Sequence, residues 1–356
     1  MSKTVLVAPL NWGLGHAARC VPIINALLQN HKVILASDGV ALDLLKLEFP
    51  NLEYEVLPSY GITYPENGSF LGHIAKQVPR ILKTINSEKK LLPSLIKKHG
   101  IDMVISDNRY GIHHESVKSV FITHQIVIPT PFAEKILAKL QQQFLVSFDE
   151  IWVPDVKTVP NISGKLAHNE IFPDKAKYIG LLSRFNDDLK AVKPETMGSE
   201  DFVLGIVSGP EPMRTHFENL LIDELSGIGQ KVVLVGGVSQ GGSALNGANM
   251  TYFPFLGMNE LKWLIMNAKQ IVSRSGYSTV MDLLALNKTA IFVPTPGQTE
   301  QEYLGDYLMK NGLFYTVVQD EFNWSKVNIG FKEWTQQRAP ITIENKNELL
   351  EIINRI

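Results

Sequence analysis

The chain of 356 residues has little cysteine, no long apolar run and almost no net charge. Its single cysteine, Cys20, excludes an internal disulfide and a cysteine-ligated zinc cluster, and suits a reducing compartment. No stretch of about 18 uncharged apolar residues occurs, so no membrane-spanning helix is expected. The opening Met1-Ser2-Lys3-Thr4 runs straight into Val5-Leu6-Val7-Ala8-Pro9-Leu10, which is too short for a signal segment and reads as a first buried strand. With 34 basic and 36 acidic side chains the net charge is −2, so the chain as a whole has no electrostatic footprint for nucleic acid. Internal repeats and low-complexity tracts are also missing, which excludes solenoid and disordered architectures. A cytoplasmic enzyme or binding protein is the expectation.

What is present is ordinary globular material, 45% apolar and 20% charged, and long enough for two domains. The stretch from Phe185 to Glu200 is poor in apolar residues and forms the expected seam. It separates a first domain over 1–185 from a second over 201–340, with 341–356 forming a helix that returns to the first domain. On each side, short β-branched runs alternate with segments of helical period. The expected strands are Thr4–Ala8, Lys32–Ala36, Tyr54–Leu57, Asp102–Ser106, Ser119–Thr123 and Glu150–Val153, then Phe202–Val207, Lys231–Val235, Gln270–Ser273, Ala290–Val293 and Phe314–Val318. Helices are expected at Ala17–Gln29, Leu82–Lys98, Met213–Ser226, Asn259–Asn267 and Ser278–Leu286. Continuous apolar strands between helices imply parallel sheets covered on both faces. The fold class is therefore α/β, with two doubly wound, Rossmann-like domains facing across a cleft.

The first strand leads into Asn11-Trp12-Gly13-Leu14-Gly15-His16-Ala17-Ala18-Arg19. Gly13 and Gly15 allow a sharp turn and close backbone approach to a ligand at a helix start. The pattern also satisfies a dinucleotide fingerprint, with Asp38 after the second strand as the candidate ribose ligand, so an NAD enzyme is an open alternative. His16 at the helix start suits a general base near neutral pH.

The second half carries Ser273-Arg274-Ser275-Gly276-Tyr277-Ser278-Thr279-Val280-Met281-Asp282, a strand, a small-residue turn and a helix. Val293-Pro294-Thr295-Pro296-Gly297-Gln298-Thr299-Glu300-Gln301 follows as a strand end with a polar loop. These residues resemble the nucleotide-sugar half of the GT-B glycosyltransferases of family 28, the MurG-like group. The resemblance implies that Ser275 and Gly276 form the donor turn, that Asp282 binds the ribose hydroxyls, and that Gln301 holds the donor sugar, with Gln298 among the substrate-binding residues. It implies that Met258 lies where uracil is read, that Arg184 lies near the diphosphate, and that the Gly13–Gly15 turn is the N-terminal glycine loop. Two turns compete for the diphosphate, Ser208-Gly209 with Arg214 and the stretch 236–242; chain order favours the former, leaving 236–242 as a surface loop.

On the acceptor side, Asp107 and His124 end apolar runs and should border the site. Asp107 has two open roles, base or orienting partner of His16. Where the family carries His-Glu-Gln, this chain has His124-Gln125-Ile126. Asp-x-Asp is absent, and no metal site or cofactor is expected. The implied reaction is inverting transfer of a hexose or N-acetylhexosamine from a UDP-sugar, a co-substrate, to an acceptor hydroxyl that is lipid-linked or part of a cell-envelope glycan. Between Lys76 and His99 seven basic residues and one acid, Glu88, interleave with Ile81, Leu82, Leu91, Leu92 and Leu95. That pattern suggests a basic surface for peripheral contact at the inner face of a membrane. Rival readings are a UDP-sugar epimerase and a non-catalytic nucleotide-sugar binding subunit.

Overall fold

A computed structural model describes residues 2–63, 70–126, 143–168, 174–185, 189–198, 200–237, 249–338, 343 and 348–356. The chain divides into two units. One contains Met1–Thr63, Gly68–Arg184 and Ile343–Ile356, and the other contains Phe185–Thr342.

The first unit is a seven-stranded parallel sheet in the order β3-β2-β1-β4-β5-β6-β7. Its strands are β1 (Thr4–Pro9), β2 (Lys32–Ser37), β3 (Tyr54–Val56), β4 (Met103–Asp107), β5 (Lys118–Ile122), β6 (Glu150–Val153) and β7 (Ala176–Tyr178). Val5 to Ala8 and Met103 to Ile105 are wholly buried, as strands covered on both faces must be. Helices α1 (Gly15–Leu27), α2 (Gly39–Glu48) and α3 (Phe70–His99) connect them, and α1 continues through Pro22. Strands β1, β2 and β3 step one way across the sheet while β4 to β7 step the other. The reversal lies between β1 and β4, paired in register with Pro9 opposite Asp107. In open α/β sheets the carboxyl end of such a reversal is where ligands bind.

The second unit repeats the scheme with six parallel strands in the order β10-β9-β8-β11-β12-β13. These are β8 (Phe202–Ile206), β9 (Lys231–Val235), β10 (Met250–Phe253), β11 (Gln270–Ser273), β12 (Ile291–Phe292) and β13 (Tyr315–Thr316). Helices α4 (Met213–Leu225), α5 (Met258–Asn267), α6 (Tyr277–Ala285), α7 (Thr299–Lys310) and α8 (Trp324–Gln337) cover it. Here the reversal falls between β8 and β11. A short helix, α9 (Glu348–Ile353), packs on α1 of the first unit.

Several elements depart from the sequence expectation. β7 and β10 are edge strands of three and four residues with exposed or half-exposed positions, too short and mixed to show a continuous apolar run. The segment after β12, expected to be a polar loop, becomes α7, whose Gln298 caps the helix by accepting from the Gln301 backbone N–H at 2.6 Å. Helix α3 starts at Phe70, well before Leu82, and runs through Pro79 and Pro93. Proline removes one helical bond and usually ends the pattern, which hides the upstream turns from a sequence reading.

The apolar stripe of α3 is largely core. Ile85, Leu92 and Leu95 are buried, while Val78 and Leu82 remain on the outer face with the lysines. Glu88, the one acid of that stretch, is fully buried and points away from the basic face. Burial of Leu92 and Leu95 takes part of the expected apolar stripe out of the surface, while Val78 and Leu82 stay exposed beside the lysines. Among the described residues no helix is long and apolar enough to cross a membrane.

Candidate active site

At the switch point of the first unit, β1 ends and the chain turns through Gly13 into α1. Gly13 has φ of +78°, and a Cβ there would meet nothing within 4 Å, so conformation and not crowding calls for glycine. Leu14 caps α1 without a side-chain hydrogen bond, and Gly15 begins the helix. His16 thereby stands in the first turn with its side chain 14% exposed. On the neighbouring strand, β4 ends at Asp107, which is fully buried. The next residue, Asn108, takes a left-handed conformation with φ of 57°, which asparagine tolerates better than most side chains.

These two chain ends make one hydrogen-bonded group. His16 Nδ1 lies 2.8 Å from Asp107 Oδ1. Arg19, one helical turn on, donates from Nε to Asp107 Oδ2 at 2.5 Å and from Nη2 to Oδ1. Its Nη1 lies 2.9 Å from Nδ1 of His124, just past the end of β5. The Cys20 thiol donates to Asp107 Oδ2 at 3.6 Å. The structure thus brings His16, Asp107 and His124 together, and adds Arg19, to which the sequence reading gave no role. Its signal was its spacing: a residue three positions after His16 shares its helix face.

Burial alone would raise the Asp107 carboxyl, but the Arg19 cation and then His16 outweigh it and hold the group well below the ordinary carboxylate range. Asp107 therefore stays ionised and is a poor proton acceptor. His16 is pushed below 6.5, first by burial and then by Arg19, with Asp107 pulling the other way. Neutral imidazole is the state of this group near pH 7, and it is the state a base needs.

A second buried network lies beside the first. Arg109 donates from Nε to the Pro9 carbonyl at 2.9 Å, from Nη1 to Glu88 Oε1 at 2.6 Å, and from Nη2 to Asp38 Oδ1. Tyr60 donates to Glu88 Oε2 at 2.8 Å, and Asn11 Nδ2 donates to Asp38 Oδ2 at 3.1 Å.

In the second unit the expected donor residues gather at the carboxyl ends of β8, β11 and β12, which are adjacent. Ser208 and Gly209 follow β8, with Gly209 at φ of 111°. Ser275 and Gly276 follow β11, Gly276 capping α6 without a side chain. Ser275 Oγ donates to the Gln301 carbonyl at 2.8 Å, and Gln301 Oε1 accepts from Thr295 N–H at 2.9 Å. Arg274, only 1% exposed, ties these turns together by donating to the carbonyls of Val293 at 2.9 Å and Pro294 at 3.0 Å, and to Gln319 Oε1 at 2.8 Å. Asp282 is 4% exposed in the second turn of α6, too far along for the helix dipole to explain its placement. Met258 opens α5 beyond β10, at the far edge of the sheet.

Three of the expected site residues have partners within their own unit. Gln301, expected to hold the donor sugar, accepts at Oε1 from the Thr295 N–H at 2.9 Å. Arg214, expected to face a diphosphate, pairs with Glu211 at 2.6 Å and Glu218 at 2.8 Å. Arg184, also expected near the diphosphate, lies in the first unit, within the expected bounds of the first domain, and its charge bears on Glu48 at the end of α2. The competing stretch 236–242 lies, from residue 238 on, outside the described residues.

Residues 230–355 match the family model described as the glycosyltransferase family 28 C-terminal domain. The C-terminal part of the chain is thus similar to the family 28 glycosyltransferases, and the chain as a whole has the GT-B fold. Solved structures of this glycosyltransferase fold align over nearly the whole molecule at low identity. The glycotransferase of kitacinnamycin shares 13% identity at a TM-score of 0.66, covering 99% of this chain and 94% of its own. The glycosyltransferase SnogD from Streptomyces nogalater shares 14% at 0.61, covering 100% and 98%. MurG of Acinetobacter baumannii shares 14% at 0.55, covering 99% and 100%. No curated protein sequence matches the chain.

Proposed function

We propose that this glycosyltransferase moves a hexose or N-acetylhexosamine from a UDP-sugar to an acceptor hydroxyl, with inversion and without a metal ion. The observation that carries the proposal is the 2.8 Å contact of His16 Nδ1 with Asp107 Oδ1. A carboxylate held ionised orients the ring so that Nδ1–H faces it and the Nε2 lone pair is available as base. His16 takes the acceptor proton as the acceptor oxygen attacks the anomeric carbon and UDP departs through an oxocarbenium-like transition state.

The second unit supports donor binding through the Ser208-Gly209 turn, the Ser275-Gly276 turn, Asp282 for the ribose and Gln301 for the sugar. Leaving-group charge would fall on backbone N–H groups at these turns and at the start of α6. Absence of an Asp-x-Asp triplet agrees with that arrangement. For the acceptor, the mainly basic outer face of α3 favours electrostatic contact with an anionic surface over apolar insertion.

The test is a thermal-shift screen of UDP, TDP, GDP and NADH, followed by assays of the best nucleotide's sugars with and without acceptor alcohols. Stabilisation by UDP and acceptor-dependent release of UDP support the proposal. Stabilisation by NADH alone, or interconversion of UDP-sugars with no acceptor, overturns it.

A further inference from the structure

Arg19 is 2% exposed and touches three ionisable side chains at once. A guanidinium offers five N–H donors, has no acceptor and keeps its proton. An ionised carboxylate only accepts. Facing only one such partner, an imidazole nitrogen has no choice of role. Nδ1 of His124 faces the Arg19 Nη1 donor at 2.9 Å, so it must present a lone pair, and the ring proton sits on Nε2.

His16 Nδ1 is contested, lying 2.8 Å from the Nη2 donor and 2.8 Å from the Oδ1 acceptor. Arg19, however, already forks onto Asp107 through Nε and Nη2, the bidentate geometry that guanidinium and carboxylate share. Its Nη2 hydrogen on that side is committed to Oδ1. The arrangement that satisfies every group puts the His16 proton on Nδ1, toward Asp107, and leaves Nε2 bare.

We propose that Arg19 is a positioning residue that, by gripping Asp107 and donating to His124, imposes opposite tautomers on the two histidines: Nε2 of His16 accepts protons, and Nε2–H of His124 donates hydrogen bonds. One end of the sheet then carries a base and a donor of fixed polarity before any substrate arrives. Arg19 has a second effect. Around His16 stand Arg19 and His124, which disfavour imidazolium, and Asp107, which favours it. Removing Arg19 takes away one of the influences that disfavour imidazolium, so His16 holds its proton to higher pH although burial still opposes it. The use of this polarity in catalysis rests on the reading of His16 as base; the tautomers themselves do not.

The experiment is a two-bond proton–nitrogen correlation spectrum of the histidine-labelled full chain, assigned with His16→Gln and His124→Gln. The expected pattern is a protonated Nδ1 for His16 and a protonated Nε2 for His124. The reverse at either ring overturns the proposal, and this readout needs no variant of Arg19. In Arg19→Gln the His16 titration midpoint should rise by about half a unit or more, and Arg19→Lys should restore most of the difference. A midpoint unchanged in a folded Arg19→Gln protein overturns the electrostatic half. If the midpoint rises while the acidic limb of the transfer rate stays in place, the tautomer assignment stands and the role of His16 as base falls.

Discussion

Arg109 and Asp38 form a buried ion pair behind the first glycine turn, and Asn11 holds the other carboxylate oxygen of Asp38. The acid that a dinucleotide enzyme would direct at a ribose is thus turned inward as the counter-ion of a buried cation. NADH should give no thermal shift. Asp38→Ala should lower stability by roughly 2–4 kcal/mol, since Arg109 would keep only Glu88 as an acidic partner. Urea denaturation measures it, and a loss below 1 kcal/mol would show the pair to be incidental.

His16→Ala should reduce transfer by about 10²–10⁴-fold while UDP affinity stays within twofold, because the base acts on the acceptor and not on the nucleotide. Isothermal titration beside steady-state kinetics separates the two. Equal losses in binding and rate would place His16 in the donor site instead.

Two groups predict how stability responds to acid. His113 is shifted down to about 4, mainly by burial, and His16 is also lowered. In both, the folded pKa lies below the unfolded value near 6.5, so the unfolded chain binds more protons and stability falls as pH drops from 6.5 toward 4. Asp107 is likewise depressed, so its contribution is complete above the unfolded value near 4 and is lost only below it. Melting temperature should decline in two stages, and His113→Gln should flatten the first. A melting temperature independent of pH between 7 and 5 contradicts this.

If Gln301 holds the donor sugar as proposed, Gln301→Ala should weaken binding of the UDP-sugar by about 5–50-fold yet leave UDP unchanged. Asp282→Asn should instead weaken UDP and UDP-sugar alike. Competition binding distinguishes the patterns, and identical profiles for the two variants would refute the division of labour.

Gly111→Ala should destabilise the first unit by about 1–3 kcal/mol or more, because the new Cβ would lie 2.4 Å from the Ile85 carbonyl oxygen and 2.6 Å from Glu88 Cβ. That crowding would disturb the Glu88 carboxylate, which the Gly111 N–H and Arg109 both hold. A chemical melt indistinguishable from the parent protein would show that α3 yields there.

Sequence alone determined the alternation of buried strands and helices, because parallel strands covered on both faces must read as unbroken apolar runs such as Val5 to Ala8. It also marked the chain positions where a glycine turn or a strand end carries polar residues, and so singled out His16, Asp107, Ser275 and Gln301. Those signals are local, a few residues wide, and survive without knowledge of the partner. Tertiary structure decided which charges meet. Arg19 reaches Asp107 across 88 residues and His124 across 105, while Arg214 pairs with Glu211 and Glu218, three and four residues away along its own chain. The same arginine side chain is a surface charge, a buried clamp or an orienting donor according to what surrounds it. Strand order sets those surroundings: β1 beside β4 and β5 next along bring three distant strand ends together at the carboxyl end of the sheet.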